Sequence, residues 1–505
     1  MLLKDMKWIK CCSIIGSHFV ISPLSFLWSY GNIAPYLDSY YKFYCFDCAD
    51  GSSEWVLNLF IAATLPGLLL VGRLTRLVDM KWLGLMSTLL CGVALIASAW
   101  TLNVSMLGTT VLLGGLNGIA MGIGVNLAMV CVNGWAPEKS SIFTASVTSV
   151  PPILAFIQNQ IVKAYVNPHN IKPDVHEISK TFFSQPEILE KVPNVILILA
   201  SIILGTQVIG TALISNPSFP TTEDETCSED IQDYTPSATE PLTMRGNNAN
   251  AVKDTHYGSN KEFENKSPLP EILGGNASDA SPESISEMRT PPTIQSNGSL
   301  HKSCSTSQAV RSAVFWTNSL HLAVVTYGIV LKNGCVKLLG LLFISNDNLL
   351  TLLSSLIPLV EVAVRLAFGV LFDKNLLSLK DGLVISLSLN SVLFSFFYFA
   401  PQVNFVTYLI LIVGLSVSHG LLFLLYTVIT LKAFGPQNFA MVYSLGFFVN
   451  TGVVLVAGGV FTHILQSLGW FWVFFTCSAP STAVLLATVF TDVRPHRADD
   501  GKQTE

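Results

Sequence analysis

Apolar and polar residues fall along this chain in long blocks, not in short alternation. Twelve apolar windows stand out, at about 11–34, 55–74, 82–101, 106–131, 141–163, 194–214, 309–331, 348–372, 382–400, 404–430, 438–464 and 469–490. Each approaches or exceeds the roughly 20 residues that a helix needs to cross the hydrocarbon core of a bilayer. Inside a bilayer the backbone must satisfy its own hydrogen bonds, so blocks of this length are helical. The pattern predicts an all-α membrane protein with 12 transmembrane helices.

The turns between the windows set an orientation. One group carries Lys4, Lys7 and Lys10, then Arg73, Arg76 and Lys81, then Lys139, Lys374, Lys380, Lys432, Arg494 and Arg497. The opposite group is poor in Lys and Arg, apart from the longer, mixed-charge loop 164–193. The positive-inside rule then places both termini in the cytoplasm, with the plasma membrane as the expected host. The lysines before the first window resemble a signal-peptide start, but the apolar run continues to about Ala34 without a cleavage site, so it reads as a retained helix.

Segment 216–306 breaks the pattern. It is rich in Ser, Thr, Asn, Pro and Glu, too poor in large apolar residues to bury a core, and predicted to be a disordered cytosolic linker. It holds Thr235-Pro236, Ser267-Pro268, Ser281-Pro282 and Thr290-Pro291, which suit proline-directed phosphorylation or are ordinary linker dipeptides. Its sequons at Asn265, Asn276 and Asn297 would carry glycans only if the loop faced outward. Removing it leaves residues 1–215 and 307–491 as two six-helix bundles, with 492–505 as a cytosolic tail. This is the 6+6 layout of transporters built from parallel repeats. Gly72 and Arg76 after the second window echo Gly369, Asp373 and Lys374 after the eighth, marking gating turns in corresponding positions.

Composition sharpens the class. The 505 residues are 50% hydrophobic and 12% charged, about half the charge of a soluble domain. The net charge of −5 belongs to the linker, which holds 14 acidic and 6 basic residues, so the rest is slightly basic. Nothing suggests a nucleic-acid surface. The ten cysteines are scattered, mostly in apolar windows; Cys45 and Cys48 form the one close pair, with a disulfide, even one to Cys335, left open. No nucleophile–base set, metal cluster or phosphate loop appears, so no enzyme, no cofactor and no metal are expected.

Within the apolar background, two opposite charges dominate. Glu361 and Arg365 lie four residues apart near the middle of the eighth window and so share a helix face. A lone charge at bilayer depth costs roughly 2.5–3.5 kcal/mol on insertion scales, and such charges usually face a bundle interior or a water-filled path. The competing reading is a structural pair that locks two helices together. Arg365 reads as the single Arg or Lys well inside any window. Its forked donors match a carboxylate, for which a substrate would compete with Glu361. In the first window His18, Ser22, Ser25, Ser29 and Asn32 step by three or four and predict one polar stripe along a water-lined cavity. His321 and His419 are candidates for proton relay. Gly114, Gly118 and Gly122 predict close helix packing, and Pro151-Pro152 a bend in the fifth helix.

The layout and the Gly369-x-x-x-Asp373-Lys374 turn resemble the major facilitator superfamily. More specific stretches resemble its oxalate–formate antiporter-like branch, which includes apicomplexan pyruvate carriers. These stretches are Tyr30-Gly31-Asn32-Ile33-Ala34-Pro35-Tyr36, Trp135-Ala136-Pro137-Glu138-Lys139, Gln185-Pro186-Glu187, and Phe434-Gly435-Pro436-Gln437-Asn438-Phe439 with Tyr443. The pair Glu361 and Arg365 is similar to that of animal monocarboxylate transporters. The resemblance implies Arg365 as carboxylate anchor and Glu361 as its proton-linked partner; His321 is a proton-coupling candidate from its imidazole chemistry. Tyr30, Asn32, His419 and Tyr443 are the further substrate-binding candidates. The chain departs from the monocarboxylate transporters where they carry a first-helix Lys and it has Asn32, and it lacks the eleventh-helix Lys of the oxalate carrier. One cation at depth argues for a monocarboxylate over a dicarboxylate.

The reading is a secondary transporter of small monocarboxylates such as pyruvate or lactate, proton-coupled, working by alternating access. Its expected partners are a small organic anion, a proton and the lipid bilayer, with room for an ancillary membrane subunit. The alternatives are a carrier of another organic anion or solute with Glu361–Arg365 as a gate, and a non-transporting sensor or scaffold that signals through the linker.

Overall fold

The computed structural model describes residues 2–45, 54–75, 77–176, 181–217, 306–344 and 347–490. Arg76, Cys48, most of the predicted linker with its phosphorylation motifs and sequons, and the predicted tail lie outside these residues.

All twelve windows are helices long and apolar enough to cross a membrane. They are α1 (Lys7–Tyr44), α2 (Trp55–Leu74), α3 (Met80–Thr101), α4 (Met106–Trp135), α5 (Pro137–Val166) and α6 (Pro186–Leu213), then α7 (Ala313–Phe343), α8 (Asp347–Asp373), α9 (Leu379–Phe396), α10 (Phe405–Phe434), α11 (Phe439–Ser467) and α12 (Trp470–Phe490). The chain is a multi-pass membrane protein. The departure from all-α among the described residues is a ladder of two residues per strand, β1 (Val175–His176) and β2 (Thr181–Phe182), in the loop before α6.

Local chemistry fixes the breaks and ends. Pro23 lacks an N–H, and α1 passes through a 3-10 turn at Ser22–Ser25. That turn changes the helical phase and divides the predicted polar stripe. His18 bonds Ser146 of α5 at 2.7 Å, whereas Ser22 reaches the carbonyl of Ile203 in α6 at 3.4 Å. The stripe is therefore not one continuous face. At the end of α10, Gly435 adopts φ 76°, a left-handed conformation that favours glycine, and Pro436 follows it.

The glycines of α4 act as the spacing predicts. A Cβ at Gly114, Gly118 or Gly122 would lie 2.6, 2.3 or 2.1 Å from the carbonyl oxygens of Val56, Phe60 or Thr64 in α2. Only bare backbone allows that approach, which is how helices pack where lipid offers no hydrophobic drive.

The first six helices meet the last six along two seams, α5 against α8 and α2 against α11. Both use small residues. A Cβ at Gly369 would stand 2.9 Å from that of Ala145, and one at Gly72 would stand 3.2 Å from the carbonyl of Ala440. The carboxylate of Asp373 accepts the backbone N–H groups of Ser141 (3.2 Å) and Ile142 (2.9 Å) at the start of α5. An acid there meets the positive end of the helix dipole. On the other seam, Asn126 donates to the carbonyls of Leu68 and Ala440, and Ser444 to Leu68. Lys374 is exposed in the turn beyond α8.

Candidate functional site

The middle of α8 presents Glu361 and Arg365 one helical turn apart, both fully buried. The expected pair exists, but it is not the tightest contact. Arg365 Nη2 lies 3.8 Å from Glu361 Oε2, whereas Lys332 Nζ of α7 lies 2.5 Å from Glu361 Oε1. The indole N–H of Trp28 in α1 donates to Glu361 Oε2 at 3.1 Å. Lys332, also fully buried, lies 3.5 Å from the hydroxyl of Ser416 in α10.

Lys332 overturns two sequence expectations. Arg365 is not the single cation at depth, and Glu361 is neutralised first by lysine, not by arginine. The apolar window at 309–331 stops one residue short of Lys332, but α7 runs on to Phe343 because apolar residues resume beyond the lysine. The argument against a dicarboxylate from a lone cation therefore loses its ground. Trp28 was also missed, since a tryptophan in an apolar helix carries no sequence mark of a polar role.

Arg365 is held by hydrogen bonds from two directions. Its Nε donates to the carbonyl of Gly420 in α10 at 3.1 Å, and its Nη1 donates to the carbonyl of Thr148 in α5. Its Nη2 is buried and has no hydrogen-bond partner. The cluster thus joins two cations and one carboxylate, a net charge of +1 when all are ionised. Two contacts, Trp28–Glu361 and Arg365–Thr148, tie this charge to the first six helices. Isolated buried charges are expensive, and only this mutual compensation makes them tolerable in the bilayer interior.

The remaining candidates lie at varying removes. Tyr30 is buried and packs on Phe26, with ring centroids 5.5 Å apart. Asn32 is half-buried. Between them, Gly31 brings α1 against α7, where an added Cβ would stand 2.9 Å from the carbonyl of Asn333, next to Lys332. His321 bonds the Ser386 hydroxyl of α9 at 3.0 Å, and His419 bonds Asn390 of α9 at 3.2 Å; both leave Nδ1 without a partner. Tyr443 sits in an aromatic group with Tyr426, Phe439 and Phe447, and its carbonyl accepts the Tyr426 hydroxyl at 2.5 Å. Those bonds make it part of the α10–α11 packing. Of the gating-turn residues, Gly72, Gly369 and Asp373 lie on the seams between the two sets of helices. Cys45 is disulfide-bonded, and Cys335 is a buried cysteine outside any disulfide. No group of three or more described His, Cys, Asp or Glu side chains could hold a metal.

No protein-family model matches the chain. Over 268 residues it is 24% identical to apicoplast pyruvate carrier 1 of Toxoplasma gondii, a match that spans 43% of this chain and 47% of the carrier. The chain thus covers about half the length of this curated relative. The crystal structure of the human organic anion transporter MFSD10 (TETRAN) superposes with a TM-score of 0.56, covering 95% of this chain and 99% of that one at 11% identity. This likeness concerns the architecture alone. The chain has the major facilitator fold.

Proposed function

We propose that the protein is a proton-coupled carrier of small monocarboxylates, of the size of pyruvate or lactate, working by alternating access of its two six-helix bundles. The observation that carries this reading is the Nη2 of Arg365, a buried donor of a permanent cation with no hydrogen-bond partner, beside a carboxylate already held by Lys332 and Trp28. The Lys332–Glu361 pair is neutral as a unit, so one positive charge remains, and a monoanion neutralises it. A substrate carboxylate accepts from Nη2 with the charge-assisted geometry that suits arginine.

Proton coupling follows from charge conservation at the site. When substrate brings one negative charge to Arg365, a proton on Glu361 keeps the cluster at the net charge it has when empty. The bundles then rock without changing the charge buried between them. His321 is a proposed relay toward the end of the bundle where α7 begins. Tyr30, Asn32 and His419 are proposed to contact the substrate. The partial similarity to a pyruvate carrier and the overall likeness to an organic anion transporter support an anionic substrate. We further propose, from the distribution of Lys and Arg, that both termini and the 216–306 linker face the cytoplasm, and that the host is the plasma membrane.

Uptake of labelled pyruvate, lactate, acetate and oxalate into proteoliposomes, with and without an imposed pH gradient, tests the reading. Gradient-stimulated uptake of pyruvate or lactate is expected. Uptake confined to oxalate, or none that responds to the gradient, would falsify it.

A further inference from the structure

Pro151 and Pro152 stand in the middle of α5. A proline has no N–H to give the carbonyl four residues earlier, and its ring crowds that same carbonyl and turns it away from the helix axis. Pro151 acts in this way on Val147, and Pro152 on Thr148. The carbonyl of Thr148 is the one that accepts Nη1 of Arg365 from across the seam. A released backbone acceptor and a buried guanidinium therefore satisfy each other, where either alone would be costly.

We infer that Pro152 is a positioning residue for Arg365: by withholding its N–H it presents the Thr148 carbonyl to the guanidinium. With Nε fixed on Gly420 and Nη1 on Thr148, the planar fork has two anchors, one in each set of helices. The remaining nitrogen, Nη2, is then held in a single direction as the open donor. The inference rests on the reading of Arg365 as the carboxylate anchor. Pro151 supplies the internal control. It stands in the same bend and the same helix, but it releases the carbonyl of Val147, to which Arg365 makes no bond.

The test compares Pro152→Ala with Pro151→Ala in proteoliposomes. The N–H introduced by Pro152→Ala closes the turn and draws the Thr148 carbonyl back along the helix. Its KM for the transported carboxylate should rise about tenfold, against less than about twofold for Pro151→Ala. If the alanine variant is not recovered from membranes, Pro152→Ser brings the same N–H. A second readout needs no substrate: thermal unfolding in detergent of Pro152→Ala, Arg365→Gln and the double variant, beside the same cycle for Pro151→Ala. The Pro152 cycle should be non-additive and the Pro151 cycle additive. Equal KM for the two proline variants, or additivity in the Pro152 cycle, overturns the inference. Wild-type protein that moves no monocarboxylate overturns the reading of Arg365 instead, and the unfolding cycle still decides the role of Pro152.

Discussion

Among the described residues, the fully buried charged and imidazole side chains are His321, Lys332, Glu361, Arg365 and His419, and all belong to the last six helices. The buried polar side chains of the first six are uncharged, mainly Ser, Thr, Asn and Gln. The first six nevertheless reach the charge cluster at two points, the indole of Trp28 and the backbone carbonyl of Thr148. One set of helices carries the charge and the other supplies neutral groups that read it. Grouping the charges on one body keeps their mutual compensation intact if the two sets move apart, so such a motion breaks only two hydrogen bonds at the site and no ion pair.

Substitutions can break that division, and the largest effect should fall on Arg365. Arg365→Gln removes the permanent cation and should lower uptake at least a hundredfold, on the order of 3 kcal/mol. Proteoliposome uptake, with size-exclusion profiles to confirm that the variant folds, measures it; retained uptake would mean that the anion binds elsewhere.

Next come the partners within the charged set. Glu361→Gln leaves Lys332 and Arg365 uncompensated and should destabilise the protein by about 3–5 kcal/mol, read as a drop in thermal midpoint. Lys332→Met combined with Glu361→Gln removes a cation and its acid together and should regain much of that loss. Equal midpoints for the single and double variants would show that the 2.5 Å pair is not coupled.

Smaller effects should arise where the neutral set touches the charged one. Trp28→Phe keeps the ring and deletes one hydrogen bond to a carboxylate, a loss of about 1.5–3 kcal/mol. Because that bond crosses between the two sets, it should alter transport rate more than thermal midpoint, and initial-rate kinetics beside thermal melts separate the two. Asp373→Asn should have the mildest effect, about 1 kcal/mol, since the amide oxygen still accepts from the start of α5 while the charge opposite its dipole is lost. A midpoint unchanged from wild type would deny the seam contact any role in stability.

Much of the fold is legible in the sequence. The twelve apolar windows became twelve helices, and the glycines of α4 marked where α2 lies against it. The site was legible in part. Glu361 and Arg365 announced themselves because two charges stood inside an apolar block. Lys332 did not, because a lysine at the edge of a window looks the same whether it snorkels to the membrane surface or turns inward to an acid. The polar stripe of α1 misled because its spacing assumed an unbroken helix, and a 3-10 turn at Ser22–Ser25 intervenes.

The sequence by itself determined the class of molecule, since a bilayer penalises every unpaired backbone group and so converts long apolar runs into helices. It also determined that Glu361 and Arg365 share one face, because spacing along a helix is a local property. Which cation holds Glu361, which carbonyls hold Arg365 and which donor stays open were decided only in the tertiary structure. Those choices depend on residues brought together from α1, α5, α7 and α10, and short-range electrostatics varies too steeply with distance for order along the chain to reveal it.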